Sequence, residues 1–188
     1  MAFFSKEKRF QLAIHSLEDG YFRNKFENDI KNFSGNSGIG VISDTEAQPI
    51  VVIQGKKGVF LDDSIVRGTQ LKDNVHDLHE AGIKEVNMRI ACPPLTYPCE
   101  FLNFSRSRSS LELATHKAVR ELENKEGVDM KEYSDCNSEK YRAMVEKIRE
   151  HLDLTSLSFQ KLDDLVEAIG LSKEKLCTHC FDNSSYFD

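Results

Sequence analysis

The 188-residue chain has no long apolar run and no run of basic residues. No stretch approaches the ~20 consecutive apolar residues that a membrane-spanning helix needs, so the sequence predicts no transmembrane segment and no membrane partner. The net charge is −6 and the pI is near 5.6. Together with the lack of a basic run, this acidic balance argues against a nucleic-acid partner. Internal repeats and low-complexity tracts are also lacking, and the length suits one domain with a real core better than two.

The first residues do not resemble a secretion signal, because their charges, one of them acidic, follow the apolar residues. We therefore expect a cytoplasmic protein. The chain has five cysteines, two of which stand in Cys177-Thr178-His179-Cys180. In a reducing compartment, an odd count with a Cys-x-x-Cys pair favours a metal or redox role over a disulfide framework.

The chain is organised around the segment from Gly58 to Thr69. Its first four residues are glycine or apolar and predict a short buried strand, which ends at the adjacent carboxylates Asp62 and Asp63. Apolar residues at helical spacing follow in residues 71–78. Residues 85–91 then predict a second strand. These elements form a βαβ unit, and its first loop lies at the carboxyl end of a strand, where open α/β sheets bind ligands.

The composition of this loop favours an anion together with a sugar or a metal ion. Main-chain N–H groups after Asp63 have no partner in the strand or in the coming helix, so they can point at an anion. Gly68 lets the chain approach that anion closely, while Ser64 and Thr69 add hydroxyl donors. The acids suit sugar hydroxyls, or a Mg²⁺ held with a phosphorylated substrate. A helix start with nearby acids and no ligand is the simpler alternative.

Residues 59–69 resemble the phosphoribosyl pyrophosphate motif of type I phosphoribosyltransferases. The ending Ser64-Ile65-Val66-Arg67-Gly68-Thr69 resembles one family among them, the amidophosphoribosyltransferases (glutamine phosphoribosylpyrophosphate amidotransferases). The resemblance continues, in the order of that family, through residues 80–86, 89–94, 97–99, 154–159 and 177–181. A weaker resemblance links about the first 50 residues to an inner piece of the family's glutaminase domain.

The resemblance implies an α/β fold with a parallel sheet flanked by helices, like that of type I phosphoribosyltransferases but incomplete. Residues 39–53 add a small antiparallel hairpin on the amino-terminal side, since two apolar runs there flank a turn-rich segment. The implied division is a partial glutaminase-like segment over 1–54 and a partial phosphoribosyltransferase domain over 55–188 that ends in a helical region. A sheet with missing neighbours has an open edge, so we expect a homo-oligomer or association through that edge.

The implied function is that of a glycosyltransferase of purine biosynthesis. In this family, ammonia derived from glutamine displaces pyrophosphate from phosphoribosyl pyrophosphate and gives phosphoribosylamine. By resemblance, Asp62 and Asp63 bind the ribose hydroxyls or Mg²⁺. Ser64, Ile65, Val66, Arg67, Gly68 and Thr69 cradle the 5′-phosphate of phosphoribosyl pyrophosphate or of a purine nucleotide.

The chain also departs from this family. Its glutaminase nucleophile is an amino-terminal cysteine, whereas this chain has none before Cys92, so we assign no catalytic residue. The family's pyrophosphate-binding loop has no counterpart either, and the chain looks internally truncated. We therefore expect feeble autonomous activity at most. A non-catalytic module that binds phosphoribosyl groups or nucleotides, and an inactive remnant, are the alternatives.

Some amidophosphoribosyltransferases carry a four-iron four-sulfur cluster. Cys99, Cys177 and Cys180 match three of its ligand positions, and the fourth ligand belongs to the missing segment. Neither Cys92 nor Cys136 has support as a substitute.

Three other interpretations of these cysteines stay open. Zinc with His179 as a further ligand is one, and free thiols without a metal are another. A thioredoxin-like redox site is disfavoured, because we expect no helix to follow the Cys-x-x-Cys.

Apolar residues at helical spacing predict further helices. Ser109 and Glu112 form a capping-box pattern at the start of one of them, over about 110–124. Residues 93–98 carry three prolines and predict a loop. The segment 125–138 is polar and looks like an inserted loop. The remaining predicted helices cover residues 21–33, 141–152 and 162–169.

Overall fold

The structure is a computed structural model that describes residues 54–99 and 112–184. In chain order, its elements are β1 (Lys57–Asp62), α1 (Thr69–Glu80), β2 (Glu85–Ile90), α2 (Ala114–Glu123), α3 (Lys131–Ser134), α4 (Glu139–His151), β3 (Ser156–Phe159), α5 (Leu162–Ile169), a 3₁₀ turn (Lys173–Lys175) and α6 (His179–Asp182). The predicted helix over 21–33 and the hairpin over 39–53 lie outside the described residues, as does nearly all of the proposed 1–54 segment.

The three described strands form one parallel sheet in the order β1-β2-β3. In its register, Phe60 lies opposite Met88, and Met88 lies opposite Leu157. Five of the six residues of β2 are buried, whereas no residue of β1 is. The central strand of a parallel sheet is covered on both faces, which explains the unbroken burial of β2. The predicted α/β class with a parallel sheet flanked by helices is confirmed.

The core lies between this sheet and the helices α2 and α4. Met144 and Ile148, four residues apart on α4, are almost completely buried. Each such side chain stabilises the fold by about 1.5–3 kcal/mol relative to full exposure. Ser138 fixes the start of α4, because its hydroxyl accepts the main-chain N–H of Tyr141 at 2.9 Å. Leu152, at the carboxyl-terminal end of α4, is also buried in the core. It lies against Gly68 in the loop that follows β1.

The start of α2 differs from its prediction. Leu113 is the N-cap residue, and no side chain caps it. The predicted capping role of Glu112 is therefore wrong, and its carboxylate instead forms an ion pair with Arg67 at 2.8 Å. Ser109, the other half of the predicted capping box, lies outside the described residues.

The segment 125–138 is not the polar loop that its composition predicts. It contains the short helix α3 and buries Met130 and Tyr133, the latter only 2% exposed. The hydroxyl of Tyr133 donates to Glu123 Oε1 at 2.6 Å, so its polar end is satisfied despite the burial. Met130 and Tyr133, with the partly buried Val128 packed beside them, attach this otherwise charged segment to the core.

Two further elements went unpredicted. Residues 156–159 form the short strand β3, and α6 begins at His179, inside the Cys-x-x-Cys. The expectation that no helix accompanies this cysteine pair is therefore wrong, although α6 has only four residues. No helix of the described part is long and apolar enough to cross a membrane.

Candidate functional site

The candidate site lies at the carboxyl edge of the sheet. The main-chain N–H of Ala91 donates to Asp62 O at 2.9 Å, and that of Gln160 donates to Ile90 O at 3.0 Å. These two bonds extend the pairing one residue past the strands, so all three strands end level. The loops that follow them open on the same edge, which is where parallel α/β sheets bind ligands.

The loop after β1 is fixed at both of its ends. Ile65, only 4% exposed, anchors it in the core. Gly68 has a positive φ of 74°, and its carbonyl accepts the N–H of Lys72 at 2.9 Å to begin α1. A β-carbon at this position would lie 3.1 Å from the Cδ2 atom of Leu152. Only glycine meets both the backbone and the space requirement without strain.

The main-chain donors of this loop have no acceptor in the part of the chain that the structure describes. No acceptor among the described residues takes a hydrogen bond from the N–H groups of Ser64, Ile65, Val66, Arg67, Gly68 or Thr69. Main-chain donors at a sheet edge are ordinarily satisfied by the protein, by water or by a ligand. Six consecutive donors that lead into a 12-residue helix offer hydrogen bonds of the kind that an anion accepts.

The two predicted acids border this loop. Asp62 is half-buried, and its Oδ1 atom accepts the N–H of Asp63 at 2.9 Å. Asp63 is exposed and accepts the Ser64 hydroxyl at 3.4 Å. Within residues 54–99 and 112–184, no group of three or more His, Cys, Asp or Glu side chains is arranged to hold a metal ion. Two carboxylates still fit Mg²⁺, because this ion is commonly held by one or two carboxylates plus the phosphates of a substrate.

Cys92 belongs to the same site, although the sequence pattern did not single it out there. Its thiol donates to the carbonyl of Pro93 at 3.2 Å. Burial, and next the carboxylates of Asp63 and Asp62, raise the pKa of Cys92 to about 12. The side chain is therefore a neutral thiol beside the acids. Its position directly after β2 was the one available signal, since that position reaches the carboxyl edge of the sheet.

Of the three predicted cluster cysteines, Cys99 and Cys177 both lie near enough to Cys180 to raise the pKa of its thiol. The thiols of Cys99 and Cys180 are hydrogen-bonded, whereas Cys177 is exposed. Burial, followed by the neighbouring Cys99, raises the pKa of Cys180 to about 12. Iron–sulfur and zinc sites need three or four ligands around the metal, and no group of three such ligands is arranged in that way within residues 54–99 and 112–184. A metal at these cysteines stays a prediction.

The fold and the loop define a class, namely α/β proteins similar to phosphoribosyltransferases. A solved structure of the Bacillus subtilis glutamine phosphoribosylpyrophosphate amidotransferase, complexed with ADP and GMP, matches with a TM-score of 0.53 and 26% identity. The match covers 80% of this chain and 31% of that one. A structure described as the allosteric regulatory enzyme of purine biosynthesis matches with a TM-score of 0.51 at 24% identity, which supports the fold alone.

The curated proteins that match in sequence are amidophosphoribosyltransferases. Amidophosphoribosyltransferase from Methanothermobacter thermautotrophicus is 32% identical over 131 residues, which is 69% of this chain and 22% of that protein. The chloroplastic amidophosphoribosyltransferase of Glycine max is 36% identical over 130 residues, which is 69% of this chain and 18% of that protein. Amidophosphoribosyltransferase from Synechococcus elongatus is 40% identical over 131 residues, which is 70% of this chain and 21% of that protein. No family model matches the chain.

The recognition made from the sequence is confirmed: the chain is a relative of part of the amidophosphoribosyltransferases. It spans about a fifth of the length of these curated relatives, with shares of 18% to 22%.

Proposed function

We propose that the loop after β1 binds the 5′-phosphate of a phosphorylated ribose, either phosphoribosyl pyrophosphate or a purine nucleotide. One observation carries this proposal. The N–H groups of residues 64–69 have no acceptor among the described residues, and they lie beside Asp62 and Asp63. A phosphate accepts from the N–H groups, while ribose hydroxyls donate to carboxylates. The B. subtilis relative, whose structure contains ADP and GMP, supports a nucleotide as one ligand.

The side chains of the loop take separate roles in this proposal. Ser64 and Thr69 donate hydroxyl hydrogen bonds to the phosphate. Asp62 and Asp63 accept from the ribose hydroxyls or hold Mg²⁺ that arrives with the substrate. When bound, this ion offsets the negative charge of the phosphates. The guanidinium of Arg67 is engaged by Glu112 at 2.8 Å, so Arg67 contributes its main-chain N–H to the cradle.

We further propose that the chain supplies the phosphoribosyl-binding part of an amidophosphoribosyltransferase. The reaction of such an enzyme moves ammonia derived from glutamine to C1 of the ribose and releases pyrophosphate. Positive charge develops at C1 in this reaction, and carboxylates beside the ribose stabilise it electrostatically. The identities to enzymes of this name, 32% to 40% over 130 or 131 residues, support the proposal.

A non-catalytic nucleotide-binding module is the second candidate. One observation favours it: the structure of the B. subtilis relative is complexed with ADP and GMP, which are nucleotides and not phosphoribosyl pyrophosphate. Binding of a purine monophosphate without any turnover of phosphoribosyl pyrophosphate would select this candidate over the enzyme.

Both candidate functions require the loop after β1 to bind a phosphorylated ribose. Calorimetry with ribose 5-phosphate and Mg²⁺ tests this binding. We expect binding by the full chain, and a loss of at least about 1–3 kcal/mol in the double variant Asp62→Asn/Asp63→Asn, the scale of lost charge-assisted contacts. Asp73→Asn is the matched control, because Asp73 is an exposed acid on α1. Unchanged affinity in the double variant, or equal binding of ribose without the phosphate, would sink the proposal.

A further inference from the structure

The beginning of α2 contacts the back of the loop that follows β1. The main-chain N–H of Ala114 donates to Val66 O at 2.8 Å. The Nζ atom of Lys117 donates to Arg67 O at 3.4 Å, and Glu112 pairs with the Arg67 guanidinium at 2.8 Å. Three contacts thus join the segment 112–117 to two adjacent residues of the loop.

These contacts determine where the loop points its donors. The peptide bonds of the described residues are trans, and in a planar trans peptide the C=O of one residue and the N–H of the next point in opposite directions. When α2 holds Val66 O, the N–H of Arg67 therefore faces away from the helix. When Lys117 holds Arg67 O, the N–H of Gly68 faces away in the same manner. Both N–H groups belong to the run without an acceptor among the described residues.

We infer that Lys117 is a positioning residue for phosphate binding, which it supports by holding the peptide between Arg67 and Gly68 with its N–H aimed at the anion. The inference rests on the proposed function of the loop. Lys117 is the testable member of the three contacts, because its side chain reaches the loop backbone. The contact made by Ala114 is a main-chain bond that no substitution except proline removes.

A purely electrostatic role of Lys117 is the competing explanation, since any lysine near the loop attracts a phosphate at long range. Salt separates the two explanations. At about 1 M salt, exposed charges are screened beyond roughly 3 Å, so a long-range attraction disappears while a fixed peptide orientation persists. An arginine at position 117 keeps both the charge and the N–H donors.

The experiment measures the affinity of the full chain for ribose 5-phosphate at low salt and at about 1 M salt. We expect Lys117→Met to bind about three- to tenfold more weakly than the unmodified chain at both salt concentrations, the range for one lost hydrogen bond. Lys117→Arg should recover most of the affinity. Lys125→Met removes the same charge from an exposed lysine beyond the end of α2 and should bind like the unmodified chain.

Two outcomes would overturn the inference alone. One is a Lys117→Met defect that vanishes at high salt, and the other is a Lys117→Met variant that binds as tightly as the unmodified chain. Failure of the unmodified chain itself to bind ribose 5-phosphate would instead refute the proposed function, and this inference with it. Thermal unfolding of each variant checks that a weakened affinity does not arise from a loss of folded protein.

Discussion

The loops after β1 and β2 leave the sheet at the same edge, yet they use their polar groups differently. In the first loop, the N–H groups of residues 64–69 have no acceptor among the described residues. In the second, the N–H groups of Thr96 and Tyr97 donate to Cys180 O at 2.9 and 3.1 Å, and the Thr96 hydroxyl donates to Phe181 O at 2.8 Å. The first loop has donors available for a ligand, whereas the second is attached to the rest of the chain.

Helix α2 contacts the second loop as well as the first. The hydroxyl of Thr115 donates to Leu95 O at 2.6 Å, and a ring nitrogen of His116 is hydrogen-bonded to Thr96 O at 2.8 Å. These side chains hold the second loop in addition to its bonds with the carboxyl-terminal segment. The two loops thus differ in what their donors do: donors next to acids and without an acceptor among the described residues are what the proposed ligand site needs, whereas donors satisfied within the chain stabilise the fold.

The largest effect that we predict is on the rate at which the cysteines react with an alkylating reagent. At about pH 8, a thiol with a pKa of about 12 is roughly 10⁻⁴ thiolate, so Cys92 and Cys180 should react with iodoacetamide on the order of 10³-fold more slowly than a small-molecule thiol. A raised pKa favours the protonated form, and the rates should therefore increase with pH until about pH 12. Mass spectrometry of the labelled sites measures these rates.

The exposed Cys177 serves as the internal control for this prediction, since its sulfur is accessible to the reagent. It should be labelled first. Equal labelling of Cys92 and Cys177 at about pH 8 would show that the thiol beside the acids is neither buried nor protonated.

A pair of glycine variants separates backbone strain from ligand binding. Gly68 and Gly127 both have positive φ angles, 74° and 68°, so alanine at either position should destabilise the fold by about 1–2 kcal/mol. Only Gly68→Ala places a methyl group 3.1 Å from Leu152, whereas nothing lies within 4 Å of the corresponding position at Gly127. We expect Gly68→Ala to lose more stability and also to weaken ribose 5-phosphate binding. Urea unfolding and calorimetry measure the two effects.

Gly127→Ala is the matched control, because it introduces the same backbone strain at a position outside the loop that follows β1. Equal affinity for ribose 5-phosphate in the two variants would mean that the backbone conformation at Gly68 has no part in binding.

The sequence predicted the βαβ unit well because its signals are local. The apolar runs, the helical spacing between them and the acids after the first run all lie within about 35 residues of one another. The parallel pairing of β1 with β2 follows from the intervening helix, since a parallel connection needs such a crossover. The composition of the first loop predicted an anion site for the same reason, as its donors and acids are consecutive in the chain.

The features that the sequence did not predict depend on contacts between distant segments. Glu112 carries an ordinary capping pattern, and only the folded chain shows that it pairs instead with Arg67. Tyr133 lies in a charged segment, yet it is buried because α4 offers a surface for it. The strand β3 is four residues long and gains its identity by pairing with β2. Local patterns contain no information on these partners.

The central claim is that the loop after β1, and not the loop after β2, receives the phosphate. The most direct test is a titration of ¹⁵N-labelled chain with ribose 5-phosphate, followed through the amide resonances of residues 64–69 and 93–99. We predict that the amides of residues 64–69 shift with the phosphorylated sugar and stay in place with ribose alone, while those of residues 93–99 move little. Shifts confined to residues 93–99, or none in residues 64–69, would contradict the account.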